Sequence, residues 1–203
     1  MKTVHYTLAI LLLTITLDVS AQANYSAVET VRITANHMMS AISTERETLG
    51  KDTARLHALV EKILIPHVDF ERMSRWVLGK HWRRANNAQR QKFTHEFKML
   101  LIRTYATAML EFSREEIDFL PVRGGNKASE VVVRTAVRRS TQPPIPINYS
   151  MHLKDGQWKT YDVTIDGISL VSNYRSSFAS ELRRVNLNQL IATLAIRNQK
   201  AAN

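Results

Sequence analysis

Val131-Val132-Val133-Arg134-Thr135-Ala136-Val137-Arg138, followed by the run from Ile147 to Ile165, decides the fold class. Val131, Val133, Thr135 and Val137 alternate with Val132, Arg134, Ala136 and Arg138, the period-two pattern of a half-buried strand with one polar face. Ile147, Tyr149, Met151 and Leu153 alternate in the same way with Asn148, Ser150, His152 and Lys154. Asp155-Gly156 then supplies the two residues that a tight antiparallel hairpin requires. Tyr161, Val163 and Ile165 put one apolar face on the returning strand. Upstream, Ile117, Phe119 and Pro121 alternate with Asp118, Leu120 and Val122 in a short first strand, turned by Gly124-Gly125-Asn126. Pro143-Pro144-Ile145-Pro146 reads as a stiff connector and strand entry, best placed at a sheet edge because proline lacks the ladder donor. The reading is four antiparallel strands.

Outward from the sheet the period changes to that of helices. Val28, Val31, Ala35, Met38 and Ile42 form one stripe, opened by a Ser26/Glu29 capping box. Gly50 and Asp52 separate it from a second stripe, Leu56, Val60, Ile63 and Leu64, which Pro66 stops. Asp69 caps a short third helix through Phe70, Met73, Trp76 and Val77, and Gly79 ends it. From about Ala88 to Phe112 a long helix presents Phe93, Phe97, Leu100, Leu101, Tyr105, Ala108 and Met109. After the sheet, Asp166-Gly167 ends the last strand and opens a helix with Val171, Tyr174, Phe178, Leu182 and Val185 on its stripe. Asn186 with Gln189 caps a final helix through Leu187, Leu190, Ile191 and Leu194. Helices, strands, then helices make an α+β domain. The expected architecture is a four-stranded antiparallel curved sheet covered by N- and C-terminal helices, an arrangement that can leave a cavity between the layers; the pattern leaves open whether that space is filled.

The first residues read as a targeting segment. Lys2 precedes an apolar run from Thr7 to Leu17, and Val19-Ser20-Ala21 offers the small residues a signal peptidase recognises. Cleavage is expected after Ala21 or Ala23, giving a signal peptide over 1–21 and a single domain over 22–203. The run falls short of the roughly 20 residues that span a bilayer, and no Cys follows it to carry a lipid anchor. With no Cys in 203 residues, an exported chain must hold together by packing. The formal charge of +10 attracts polyanions, and export turns that expectation from nucleic acid toward anionic headgroups and protein partners.

Signatures of chemistry are sparse. The seven His stand apart from one another, with no HExxH spacing and no Cys. No G-x-S-x-G elbow, phosphate-binding loop or dinucleotide fingerprint occurs. Glu115-Glu116 and Asp118 read as a solvated strand start. No catalytic residue, metal or cofactor is therefore expected. The basic residues cluster: Arg72, Arg75, Lys80, Arg83, Arg84 and Arg90 surround Trp76 and Trp82.

Two segments resemble a known family. Pro66-His67-Val68-Asp69-Phe70-Glu71-Arg72-Met73-Ser74, with Trp76-Val77-Leu78-Gly79-Lys80-His81-Trp82-Arg83, is similar to the MlaC or toluene-tolerance auxiliary family. Gln91-Lys92-Phe93, Gly156-Gln157-Trp158, Asp166-Gly167-Ile168-Ser169 and Asn173-Tyr174-Arg175 fit the same pattern in order and spacing. The resemblance implies a periplasmic phospholipid carrier, not an enzyme. Its partners would be an inner-membrane Mla ABC transporter complex and an outer-membrane MlaA–porin complex, with phospholipid as cargo and no nucleic acid. A monomer is expected. It also implies a deep apolar pocket between the layers. The residues expected to line it are Val131, Val133, Tyr149, Met151, Tyr161 and Val163 from the sheet, with Trp76, Phe97, Leu101 and Tyr105 from helices. Arg83, Arg84 and Arg175 are expected to meet headgroup or partner. Asn173, Tyr174 and Arg175 are expected first to tie their helix to the sheet, with contact to headgroup or partner as the alternative. Rival readings are a carrier of another hydrophobe, such as a hopanoid, isoprenoid or aromatic compound, an enzyme acting on lipids, and an adaptor with a filled core.

Overall fold

A computed structural model describes residues 26–111, 113, 115–121 and 129–200. The expected signal peptide and the Gly124-Gly125-Asn126 turn lie outside those residues. Helix α1 (Ala27–Lys51) begins where Ser26 Oγ accepts the Glu29 N–H at 3.2 Å. It kinks at Glu45, whose φ of −117° and ψ of 19° leave the helical region. Asp52 closes α1 through its N–H to Thr48 and opens α2 (Thr53–Ile63) by accepting the Arg55 N–H at 2.9 Å. Pro66 enters a single 3₁₀ turn (Ile65–His67). Asp69 then caps α3 (Phe70–Leu78), as the sequence predicts.

Gly79 ends α3 at φ +54°, a conformation side chains rarely adopt, and starts a short α4 (Lys80–Arg84) that the periodicity does not announce. Helix α5 (Asn87–Glu111) starts at a reciprocal box: Asn86 N–H donates to Gln89 and Gln89 N–H to Asn86, at 3.0 and 2.9 Å. The same box, Asn186 with Gln189, opens α7 (Leu187–Lys200). Gln89 bonds Asn188 at 2.9 Å, and Asn198 bonds Glu96 at 2.7 Å. The two helices therefore run side by side in the same direction.

The sheet is an antiparallel meander of five strands, not four: β1 (Ile117–Phe119), β2 (Glu130–Val137), β3 (Ile145–Lys154), β4 (Gln157–Ile165) and β5 (Ile168–Ser169), paired in that order. The extra strand arises because Asp166-Gly167 is a second hairpin turn. Asp166 at φ +49° and Gly167 at φ +81° repeat Asp155 at +51° and Gly156 at +75°. Helix α6 (Leu170–Glu181) follows β5 directly.

Pro146 is not at an edge. It sits in central β3, opposite Ala136. Its carbonyl accepts from Asp166 N–H, so its missing N–H faces the same side, past the end of β4 where no ladder partner waits.

One irregularity rearranges the faces. Ser150 pairs with Asp162 but Met151 pairs with Thr160, leaving Tyr161 as an extra residue in β4. Beyond it the alternation changes parity. Val163 shares a face with Tyr149, and Trp158 with Met151, while Tyr161 turns to the opposite side against His152, at 5.6 Å between ring centroids.

Three apolar clusters result. The largest joins α3 to α7 through Phe93, Phe97, Leu101, Phe178, Leu190 and Leu194. A second packs Met38 and Ile42 of α1 on Leu56 and Val60 of α2 and Ile102 of α5. A third lays Ala27 and Val31 of α1 on Val133 and Met151 of the sheet.

Candidate functional site

Of the ten residues expected to line a pocket, eight belong to or pack against two of these clusters. Val131, Val133, Tyr149 and Met151 meet under the first half of α1, with Ala27, Val28, Val31, Phe119 and Trp158. Val163 shares their face through its pairing with Tyr149. Phe97 and Leu101 are buried in the helical cluster instead, with Tyr105 and Tyr161 packed against it. Trp76 lies outside both, 43% exposed, its ring 5.2 Å from that of Tyr161. The structure thus gathers five of the ten on one surface and places the other five elsewhere. The separation has a cause: α5 turns Phe97 and Leu101 toward α7, and the β4 bulge turns Tyr161 away.

The inner face of the sheet is apolar and closed. Val133 and Met151 have no exposure at all. What covers them is slim: Ala27, Val28 and Val31 present few methylenes. Burial pushes the Tyr149 phenol above its usual range, as a hydroxyl placed among apolar groups requires. Beside this interface, where α1 passes the β1 edge, lies a concavity of about 360 Å³. It is lined by Arg32, Asn36 and Met39 of α1, Ser113, and Glu115 to Phe119. Phe119 belongs both to the concavity and to the apolar cluster, and the Arg32 guanidinium stacks on its ring at 4.0 Å. A second concavity, about 320 Å³, opens at the far end of the sheet between Pro66–Phe70 and the β3–β4 hairpin.

Sequence reasoning missed Trp158, Phe119 and Arg32 at this surface. Phe119 carried a visible signal, its place in an alternating strand. Trp158 carried none, because the bulge reverses its parity.

The basic residues gather at another place. The Arg175 guanidinium lies over Gly79, where a Cβ would sit 3.6 Å from it. Arg83 and Arg84 are exposed on α4, which starts at that glycine. None of the three is in an ion pair among the described residues. Tyr174 ties α6 to α5 rather than to the sheet, its ring 5.3 Å from Phe97. The tie to the sheet is Asp162, which accepts from Ser169 Oγ at 2.6 Å and from Val171 N–H at 3.0 Å.

A buried polar cluster was also not foreseen. Asp69 Oδ2 lies 3.1 Å from His152 Nε2 and 3.0 Å from Lys154 Nζ. Its Oδ1 caps α3. Asp69 N–H donates to Thr160 at 2.8 Å, so the cluster pins the start of α3 to β3 and β4. Among the described residues no group of three His, Cys, Asp or Glu is placed to hold a metal ion, and no helix is long and apolar enough to cross a membrane.

Residues 32–195 match the family described as MlaC protein. The toluene tolerance protein ttg2D of Pseudomonas putida is 27% identical over 88% of this chain and 81% of its own length. The intermembrane phospholipid transport system binding protein MlaC of Haemophilus influenzae is 24% identical over 79% of this chain and 76% of its own. Among solved structures, the phospholipid-binding protein of Ralstonia solanacearum, in complex with a phospholipid, superposes with a TM-score of 0.82. It is 28% identical, and the match covers 88% of this chain and all of that one.

Proposed function

This chain belongs to the MlaC family, and from that premise we propose that it carries phospholipid through the periplasm, acting by binding rather than by catalysis. Its cargo would pass between an inner-membrane Mla ABC transporter complex and an outer-membrane MlaA–porin complex, in the service of outer-membrane lipid asymmetry. The observation that carries the reading is the apolar inner face formed by Val131, Val133, Tyr149, Met151 and Val163 under a slender helical cover. A phospholipid-bound relative with the same fold supports it.

The energetics set what that face must do. Two acyl chains hold about 30 methylenes, worth about 0.8 kcal/mol each when removed from water, or about 24 kcal/mol in all. A free lipid cannot cross water at that cost, so a carrier has to offer an apolar volume toward the top of the usual range of about 300–1,000 Å³. The face is closed in this structure, so loading requires the first half of α1 to part from the sheet. The segment that covers the sheet, Ala27 to Val31, precedes the part of α1 held by α2 and α5, which begins at Met38 and contains the kink at Glu45. Tails would then lie where Ala27, Val28 and Val31 now pack.

The test is loading from vesicles. The wild-type protein, incubated with phospholipid vesicles and re-isolated, should carry lipid phosphorus. A Met151→Asp variant, placing a charge on the inner face, should carry at least about tenfold less. Equal loading of the two, with the variant folded by circular dichroism, would remove the inner face from the proposal.

A further inference from the structure

The proposed cargo leaves open which headgroup is taken and where it rests. The concavity between α1 and the β1 edge answers both. It adjoins the apolar cluster through Phe119, so a lipid with tails on the inner face would bring its phosphate to this mouth. Among the described residues its wall carries one cation, Arg32, held on the Phe119 ring and bound only loosely to Glu29 at 3.8 Å. Glu115, Glu116 and Asp118 line the same concavity. Arg138 engages two of them, Glu116 at 2.5 Å and Asp118 at 2.7 Å. Glu115 is half-buried and in no ion pair among the described residues. The wall is firm behind it, because Arg46 of α1 binds both Leu110 O and Ser113 Oγ.

Resting on the phospholipid reading above, we propose that this mouth is a headgroup subsite for a zwitterionic aminophospholipid, with Arg32 taking the phosphate and Glu115 the primary ammonium. A guanidinium is suited to phosphate oxygens, and a free carboxylate accepts N–H donors. A primary ammonium offers three such donors, while the quaternary ammonium of a choline headgroup offers none. A glycerol headgroup leaves Glu115 beside a net negative lipid. Selection at the mouth thus opposes the molecule's overall charge of +10, which by itself favours anionic lipid.

The experiment uses vesicles of equimolar phosphatidylethanolamine, phosphatidylcholine and phosphatidylglycerol, with bound lipid extracted and counted by class. The expected wild-type result is enrichment of phosphatidylethanolamine by about fivefold over each of the others, the scale of one partly exposed charge pair. Glu115→Lys should shift the bound lipid toward phosphatidylglycerol by a similar factor, and Arg32→Glu should lower total loading. A wild-type protein that binds the three classes in proportion to the vesicles overturns the subsite and leaves the carrier standing. A wild-type protein that takes up no phospholipid overturns both. The wild-type comparison holds even if a variant fails to fold.

Discussion

Asp69 shows how one residue couples an element to the sheet. It accepts from Arg72 N–H, Lys154 and His152 while almost wholly buried. Burial alone would raise its pKa, but the Arg72 N–H and the Lys154 ammonium hold it below the ordinary aspartate value. The folded state therefore binds this proton less readily than the unfolded one. Its stabilisation is complete above the unfolded pKa and is lost as pH falls through the folded one. Asp69→Asn should cost about 1–3 kcal/mol near neutral pH. It should also lose less further stability than wild type between roughly pH 5 and pH 3. Urea titrations at each pH check both, and parallel acid profiles would contradict the assignment. Gly79→Ala should be destabilising by about 1–3 kcal/mol, because φ +54° is strained for any side chain. The capping role of Asp69 and the stop at Gly79 are both legible in the sequence. The partners His152 and Lys154 are not, since they lie more than 80 residues away.

At the scale of elements, local chemistry proved readable and parity did not. Ser26, Asp69 and Asn186 each cap where their side chains predict, because a cap is settled within four residues, and Asp52, which the sequence marks as a break, caps α2. The helix stripes locate the buried positions of α1, α2 and α7 for the same reason, and in α3 they hold for Met73 and Val77 but not for Trp76, which is 43% exposed. The faces of β4 depend on the single extra residue Tyr161, which is set by tertiary packing and leaves no mark in the alternation. Alternation alone therefore groups Tyr161 with Val163 and leaves Trp158 out. Helix α5 is wrapped on two sides: Phe93 and Phe97 meet α6 and α7, while Ile102 and Ala106 meet α1 and α2. Its stripe identifies the buried residues without saying which neighbour each one meets. Phe97→Ala should cost about 3–5 kcal/mol, since Phe97 is wholly buried among Phe93, Tyr174 and Phe178. Trp76→Ala, a larger deletion at a 43% exposed site, should cost less. Denaturation midpoints reading the reverse order would place the helical core elsewhere.

The whole molecule separates the proposed cargo surface from a basic corner. The inner face lies between α1 and the sheet, whereas Arg83, Arg84 and Arg175 stand about the α3–α4 turn in the helical half. Charge reversal at Arg83 and Arg84 should therefore slow transfer to membrane complexes while leaving bound lipid unchanged. A reconstituted transfer assay beside a lipid count tests this, and loss of bound lipid would show that the two regions are not independent. The α+β class was legible from the switch in period alone. Which helix lies on the inner face of the sheet was not legible, because the stripe of α1 looks like those of its neighbours. The most direct measurement is native mass spectrometry of the protein isolated from periplasm without detergent, with the adduct extracted and identified. The account predicts a mass above that of the polypeptide by one or more phospholipids. The bare polypeptide mass, persisting after incubation with phospholipid vesicles, would contradict it.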